Sequence, residues 1–252
     1  MRANLKLAGL GLTCFLILLI AMFPARAGFA LFSPDSVDGF GISGTLWNGN
    51  AKIINIGGQQ LRNTEWNIAL LQLPLGRLGG DFKTRWNNGF AEGFGSISLG
   101  GTIRLSETRA SFDATMLQSA FGTLALGGQI SLRISTLELN DNWPSQLIGR
   151  AEVLNLSSPL MGRGEAAHIG DFALEFDSTT ESEAGTLTGT ISDTGGPLEL
   201  KGSLLLTAPN SYTLKTRLKA RPDAPEAMQN NLKFLGSPMA DGKRIFELAG
   251  TL

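Results

Sequence analysis

Gly39, Gly41 and Gly44 stand at the G-x-G-x-x-G spacing of a dinucleotide-binding turn. That chemistry needs a buried parallel strand before the glycines and a helix directly after them, because the helix N-terminal N–H groups receive the pyrophosphate. Neither neighbour is written here. Phe32-Ser33-Pro34-Asp35-Ser36-Val37-Asp38 reads as a loop, and Thr45-Leu46-Trp47-Asn48-Gly49-Asn50 supplies β-formers followed by turn formers. The stretch therefore reads as a strand closing on an Asn48-Gly49 turn, with a second strand from Ala51 to Ile56.

Other chemistry-bearing residues are sparse. Residues 28–252 hold one histidine, His168, beside Ala166, Ala167 and Ile169, and no cysteine. A zinc site would have to be built from carboxylates almost alone. No G-x-S-x-G context marks a nucleophilic serine. Asp171 and Asp177 bracket a strand, while Glu181 and Glu183 fall in a polar loop, without the apolar surroundings that raise a carboxyl pKa for acid work. No catalytic, cofactor or metal site is expected. Trp47, Trp66, Trp86 and Trp143 are the larger recognition candidates; Trp47 and Trp143 sit beside turn residues and either anchor strand ends or serve as binding hot spots.

The elements that carry these residues are mostly strands. Of 252 residues, 42% are hydrophobic and 17% charged, enough apolar material for a sizeable core. The 32 glycines punctuate alternating stretches. Phe172, Leu174 and Phe176 alternate with Ala173 and Glu175; Ile130, Leu132 and Ile134 alternate with Ser131 and Arg133; Phe246, Leu248 and Leu252 share a face. This period of two predicts antiparallel strands with one covered side. Tyr212, Leu214 and Leu218 oppose a basic row of Lys215, Arg217 and Lys219, which reads as a solvated, lysine-guarded edge or as a docking strip for an acidic partner or lipid head groups.

Gly-Gly-Thr-Ile-Arg-Leu (100–105), Gly-Gly-Gln-Ile-Ser-Leu (127–132) and Gly-Gly-Pro-Leu-Glu-Leu (195–200) recur at irregular intervals and read as strands entered through glycine, by positive φ or a bulge. Short helices are expected over Leu70–Leu78, Thr115–Phe121 and Asp223–Gly236. The last has Asp223 or Ala224 as cap, Pro225 in its first turn, a Met228, Leu232 and Leu235 stripe, and Gly236 at its close. No internal domain boundary is legible in residues 28–252. The fold class is mainly β: a long curved antiparallel meander, open or half-barrel-like, with a few short helices.

One N-terminal transmembrane helix is expected ahead of it. Arg2 and Lys6 precede an uncharged apolar run from Leu7 to Phe23, in which Leu7, Leu10, Leu12, Phe15, Leu16, Ile17, Leu18, Leu19, Ile20 and Phe23 would face lipid. The positive-inside rule leaves the N-terminus in the cytoplasm and the body outside it. Ala25-Arg26-Ala27 offers an A-x-A-like cleavage site, so residues 1–27 read either as a retained anchor or as a cleaved signal. Without Arg2, Lys6 and Arg26 the body carries 18 basic against 22 acidic side chains, a formal charge of −4. An acidic body without clustered Lys and Arg excludes nucleic acid as a partner.

Gly44-Thr45-Leu46-Trp47-Asn48-Gly49-Asn50-Ala51 resembles the GTLW-x-G-x-A hallmark of the type II secretion system protein N family. Leu73-Pro74-Leu75-Gly76-Arg77-Leu78, Asn142-Trp143-Pro144 with Gly149-Arg150-Ala151-Glu152, Gly195 to Gly202, Leu232 to Pro238 and Leu248 to Leu252 match in order. The Ala25-Arg26-Ala27 site departs from the family's usual retained anchor. The resemblance implies a single-pass protein of a Gram-negative inner membrane, with residues 1–27 as anchor and residues 28–252 as a periplasmic β-rich domain. It implies an accessory, non-catalytic part in protein export across the outer membrane, and other secretion components of the inner membrane and periplasm as partners. Gly44, Trp47, Gly49, Trp143 and Pro144 become the candidate motif and interface residues. A more distant likeness to AsmA-type envelope proteins implies the alternative, an apolar groove that handles lipid.

Overall fold

The computed structural model describes residues 2–34, 36–56, 59–70, 76–117, 126–158, 168–178 and 185–251. They form two compact units: residues 1–87 with 94–99, and residues 88–93 with 100–252. The division passes within a strand and not through a linker, so composition carries no trace of it.

In the first unit, α1 (Arg2–Ala21) and α2 (Ala25–Phe32) precede β1 (Val37–Phe40), β2 (Ser43–Gly44), β3 (Asn48–Ile56), β4 (Gln59–Ile68) and β5 (Arg77–Trp86). β1 and β2 both pair with β3, which pairs with β4, and β4 with β5, all antiparallel. β6 (Gly89–Ser98) gives its first half to the second unit and its second half to the first.

The expected Asn48-Gly49 turn is displaced. Asn48 and Gly49 already belong to β3, with Gly49 opposite Gly44, and the chain reverses at Leu46 and Trp47 instead. The reason lies in Gly44, whose φ of 86° starts the reversal early.

The N-terminal helix forms as expected but ends at Ala21, two residues before Phe23 and three before Pro24, which cannot continue it. Among the described residues no helix is long and apolar enough to cross a membrane, and the expected transmembrane helix is corrected to that extent. Leu10, Leu12, Phe15, Leu16, Ile17, Leu18, Leu19 and Ile20 are exposed, Phe23 is half-buried, and the Leu7 side chain lies outside the described residues.

In the second unit, β7 (Ile103–Asp113), β8 (Gly127–Asn140), β9 (Trp143–Ser157), β10 (His168–Asp177), β11 (Thr186–Gly195), β12 (Leu198–Thr207), β13 (Ser211–Ala220) and β14 (Arg244–Thr251) each pair antiparallel with the next, the expected meander. The three Gly-Gly repeats behave alike. Gly101, Gly128 and Gly196, the second glycine of each, have φ of 84°, 131° and 95°, and a register shift accompanies Gly128. β13 is flanked by β12 and β14, so its basic row guards no edge. Lys215 pairs with Glu247, and Lys219 with Glu199.

The core of this unit forms around α3 (Glu226–Leu232), which is followed by a 3-10 turn over Lys233–Leu235. Pro225 occupies the N-cap position rather than the first turn, and Gly236, at φ 93°, ends the segment. Met228 and Leu232 pack with Leu198, Leu218 and Ala224, while Leu235, Phe172 and Phe246 close the rim. Burial of each large side chain contributes about 1.5–3 kcal/mol, so the stripe fastens the helix to the strands. The helices expected over 70–78 and 115–121 lie largely outside the described residues; Ala114–Leu117 forms a 3-10 turn.

Met228 is 1% exposed and Phe234, six residues on, is 89% exposed. Met228→Ala should cost about 2–5 kcal/mol in denaturant unfolding by leaving a cavity, whereas Phe234→Ala should stay within about 0.5 kcal/mol. Equal losses from the two would show that the helix is not docked by this stripe.

Candidate functional site

The hallmark turn is held from four sides. Gly44 lies so close to β3 that a Cβ there would collide with the Asn48 carbonyl oxygen, and a Cβ on Gly49 would strike the Trp66 ring. Glycine at both positions lets the turn fold flat against its neighbours. The Thr45 N–H donates to the Asn48 carbonyl at 2.8 Å, and the Asn48 N–H donates to Thr45 Oγ1 at 3.0 Å. Trp66 Nε1 donates to the Leu46 carbonyl at 3.0 Å.

The other face of the turn meets the N-terminal helices. Residue 24 is proline, so the Ile20 carbonyl lacks the amide donor that an α-helix would supply four residues on and accepts the Phe23 N–H at 3.2 Å instead. Trp47 Nε1 donates to the same carbonyl at 2.7 Å. The Leu46 N–H donates to the Phe23 carbonyl at 2.8 Å, and Thr45 forms a bridge with Pro24. The Leu46 side chain lies over Gly28 of α2, and Phe29 lies over Gly39 of β1. Trp47 is half-buried, with its polar atom engaged inside the chain.

Gly44, Trp47 and Gly49 thus converge in the first unit, while Trp143 and Pro144 belong to the second. Asp141 and Asn142, with φ of 51° and 62°, form the tight turn that delivers Trp143 to the start of β9. Trp143 and Pro144 line a cavity of about 360 Å³ with Asn140, Asp141, Leu187 and Pro209. Trp143 Nε1 is buried without a hydrogen-bond partner among the described residues, as is Trp86 Nε1.

The charged groups are organised as ion pairs between strands, along β9 and at strand ends. Arg221 bonds the Asp193 carboxylate and the Gly196 carbonyl, and Asp193 Oδ1 also accepts the Leu200 N–H at 2.9 Å. Arg150 reaches both Glu152 and Glu175, which raise its pKa. Glu199 accepts from Lys243 at 2.8 Å and from Lys219 at 3.3 Å. The Lys243 hydrogen bond is the main cause holding the Glu199 carboxyl below its usual range. His168 is the half-buried first residue of β10, beside Gly196. Among the described residues no three of His, Cys, Asp and Glu gather as a metal site would require. Sequence reasoning missed the Arg221–Asp193 link and the Trp143 cavity; residues 28 apart in such a pair carry no local signal.

Residues 37–246 match the model of the family described as Type II secretion system (T2SS), protein N. The chain belongs to the type II secretion system protein N family. Type II secretion system protein N of Vibrio cholerae serotype O1 (strain ATCC 39315 / El Tor Inaba N16961) is 24% identical over 252 residues, covering 95% of both chains. Type II secretion system protein N of Aeromonas hydrophila is 23% identical over 250 residues, covering 96% of both. No solved structure matches. The hallmark that suggested the protein N family is thus the turn that ties β2 and β3 to α1 and α2.

Trp47→Phe keeps a ring but deletes the donor to Ile20. It should cost about 1 kcal/mol locally, read as several-fold faster exchange of the Leu46 amide with β12 and β13 amides unchanged; unchanged exchange at Leu46 would show that the indole bond does not hold the turn to the helix end. Glu199 contributes stability that is complete above its usual titration range and declines as pH falls through its lowered pKa. Glu199→Gln should therefore flatten that acid limb in pH-dependent unfolding, and an identical limb would assign it to other carboxylates.

Proposed function

We propose that this protein is an accessory, non-catalytic component of type II secretion. It is held at the inner membrane by its N-terminal segment, with the N-terminus cytoplasmic and the β-rich part in the periplasm, where it binds other secretion components. The family match over residues 37–246 carries the secretion role. The uncharged run from Leu7 to Phe23, its exposed apolar side chains and the basic residues ahead of it support membrane attachment.

One contact network supports a retained anchor over a cleaved signal. Ala25-Arg26-Ala27 lies inside α2, where Ala25 is 1% exposed. Ile20, Phe23 and Pro24 are the partners of the hallmark turn. Cleavage after Ala27 would remove all of them and leave the Trp47 and Leu46 donors without these partners. The loss of those contacts is what supports retention of residues 1–27 as part of the folded protein.

The alternative, lipid carriage in an apolar groove, is less well supported. The cavity at Trp143 includes Asn140, Asp141, Ser145 and Thr186 in its lining, a mixed surface for an acyl chain.

Deletion of the gene should reduce exoprotein secretion or assembly of the secretion machine, with restoration by the intact gene; full secretion and assembly in the deletion strain would sink the role. Mass spectrometry of the purified protein should find residues 1–27 still attached, and a mature N-terminus at Gly28 would overturn the retained anchor.

A further inference from the structure

α2 is apolar on both sides. Its sequence, Ala-Arg-Ala-Gly-Phe-Ala-Leu-Phe, has one polar residue, Arg26. Ala25 and Gly28 are buried and Phe29 packs on β1, which uses one side of the helix. The opposite arc presents Arg26, Ala30 and Leu31 to the outside, with Leu31 69% exposed. A water-facing helical surface ordinarily carries polar side chains along that arc. This one carries a single cation and no acid.

The neighbouring surface extends the pattern. Met22, at the junction between the helices, is also 69% exposed, and from Leu10 to Ile20 the side chains of α1 are exposed and, Thr13 apart, apolar. Only Met22, Phe23 and Pro24 separate the two helices, and the hallmark turn fixes that junction through Ile20, Phe23 and Pro24. Whatever solvates the end of α1 therefore lies within a few residues of the outer arc of α2.

We propose that α2 lies in the headgroup layer of the bilayer, with Ala30 and Leu31 toward the acyl chains and Arg26 against anionic lipid phosphates. Apolar side chains sunk into the headgroup and acyl boundary, with basic side chains drawn to anionic lipid, are the two contacts by which interfacial helices bind. This inference rests on the reading that α1 enters the membrane. It adds a second contact, made by the folded unit itself, beyond that anchor.

The test uses the full chain in vesicles of phosphatidylethanolamine and phosphatidylglycerol. In a Cys14→Ser background, a bimane fluorophore is placed by Leu31→Cys, Leu16→Cys or, as an exposed control on β5, Arg85→Cys. Quenching by nitroxide-labelled lipid is compared with quenching by aqueous iodide. The Leu31 and Leu16 sites should be quenched several-fold more by lipid than the Arg85 site, with the Leu31 site responding most to nitroxides near the headgroup. Arg26→Glu should weaken lipid quenching at Leu31 in anionic vesicles, leaving Leu16 unaffected. Iodide quenching alone at Leu31, with Leu16 in lipid, would overturn the headgroup contact while leaving the anchor intact. Protection of Leu31 from both quenchers would equally overturn it, in favour of a protein cover. Iodide quenching at Leu16 would overturn the membrane reading itself.

Discussion

The Ile20 carbonyl closes the first helix and takes two donors: the Phe23 N–H at 3.2 Å, which replaces the one that Pro24 cannot supply, and the Trp47 indole at 2.7 Å. The indole bond ties the helix end to a turn 27 residues away. Much of the local geometry of that turn serves this tie. To bring the indole there, the chain must reverse at Leu46 and Trp47. To reverse there, Gly44 must take a positive φ against the Asn48 carbonyl, and Gly49 must leave room for Trp66. The second tryptophan then holds the turn from behind through Leu46. Helix, turn and strands are fixed by one chain of dependencies.

The second unit is organised differently. Its strands pair with their sequence neighbours, and its long-range fastening comes from one buried stripe on α3 and a set of cross-strand ion pairs. Lys215–Glu247 is well exposed and the two pairs at Glu199 are partly open to solvent, where each contributes little to stability. They matter more for what they neutralise. The basic row on β13, which as a sequence could serve as an adhesive strip, spends Lys215 and Lys219 on acids of adjacent strands. Asp193 is the exception; it is largely buried and shared between Arg221 and a backbone amide.

Legibility from the sequence followed the range of the interaction. Period-two alternation located the strands around Ile130, Phe172 and Tyr212, and the Met228–Leu232–Leu235 stripe between Pro225 and Gly236 located α3, although the cap falls on Pro225 and not on the expected Asp223 or Ala224. The Gly-Gly repeats were readable too, since all of these depend on neighbours within a few residues. The Asn48-Gly49 turn was misplaced because two competing turn signals stood close together and steric contact across β2 and β3 chose between them. The Trp47 partner was invisible, being a main-chain carbonyl 27 residues away in sequence. Apolarity in residues 7–23 was plain in the sequence, but where the helix would stop depended on Met22, Phe23 and Pro24. The division into two units was hidden because it passes within β6 instead of through a change in composition.

The neighbour-to-neighbour pairing of β7 to β14 has a consequence for how the protein is made. Each strand needs only the one synthesised just before it, so no edge waits for a distant segment to arrive. Short sequence separation keeps loop-closure cost low and favours rapid pairing. A chain delivered N-terminus first could then lay down this sheet one hairpin at a time, and the stripe on α3 would arrive after seven of those eight strands were in place to receive it. Vectorial delivery and strand order run in the same direction, which shortens the time any unpaired edge is open to aggregation.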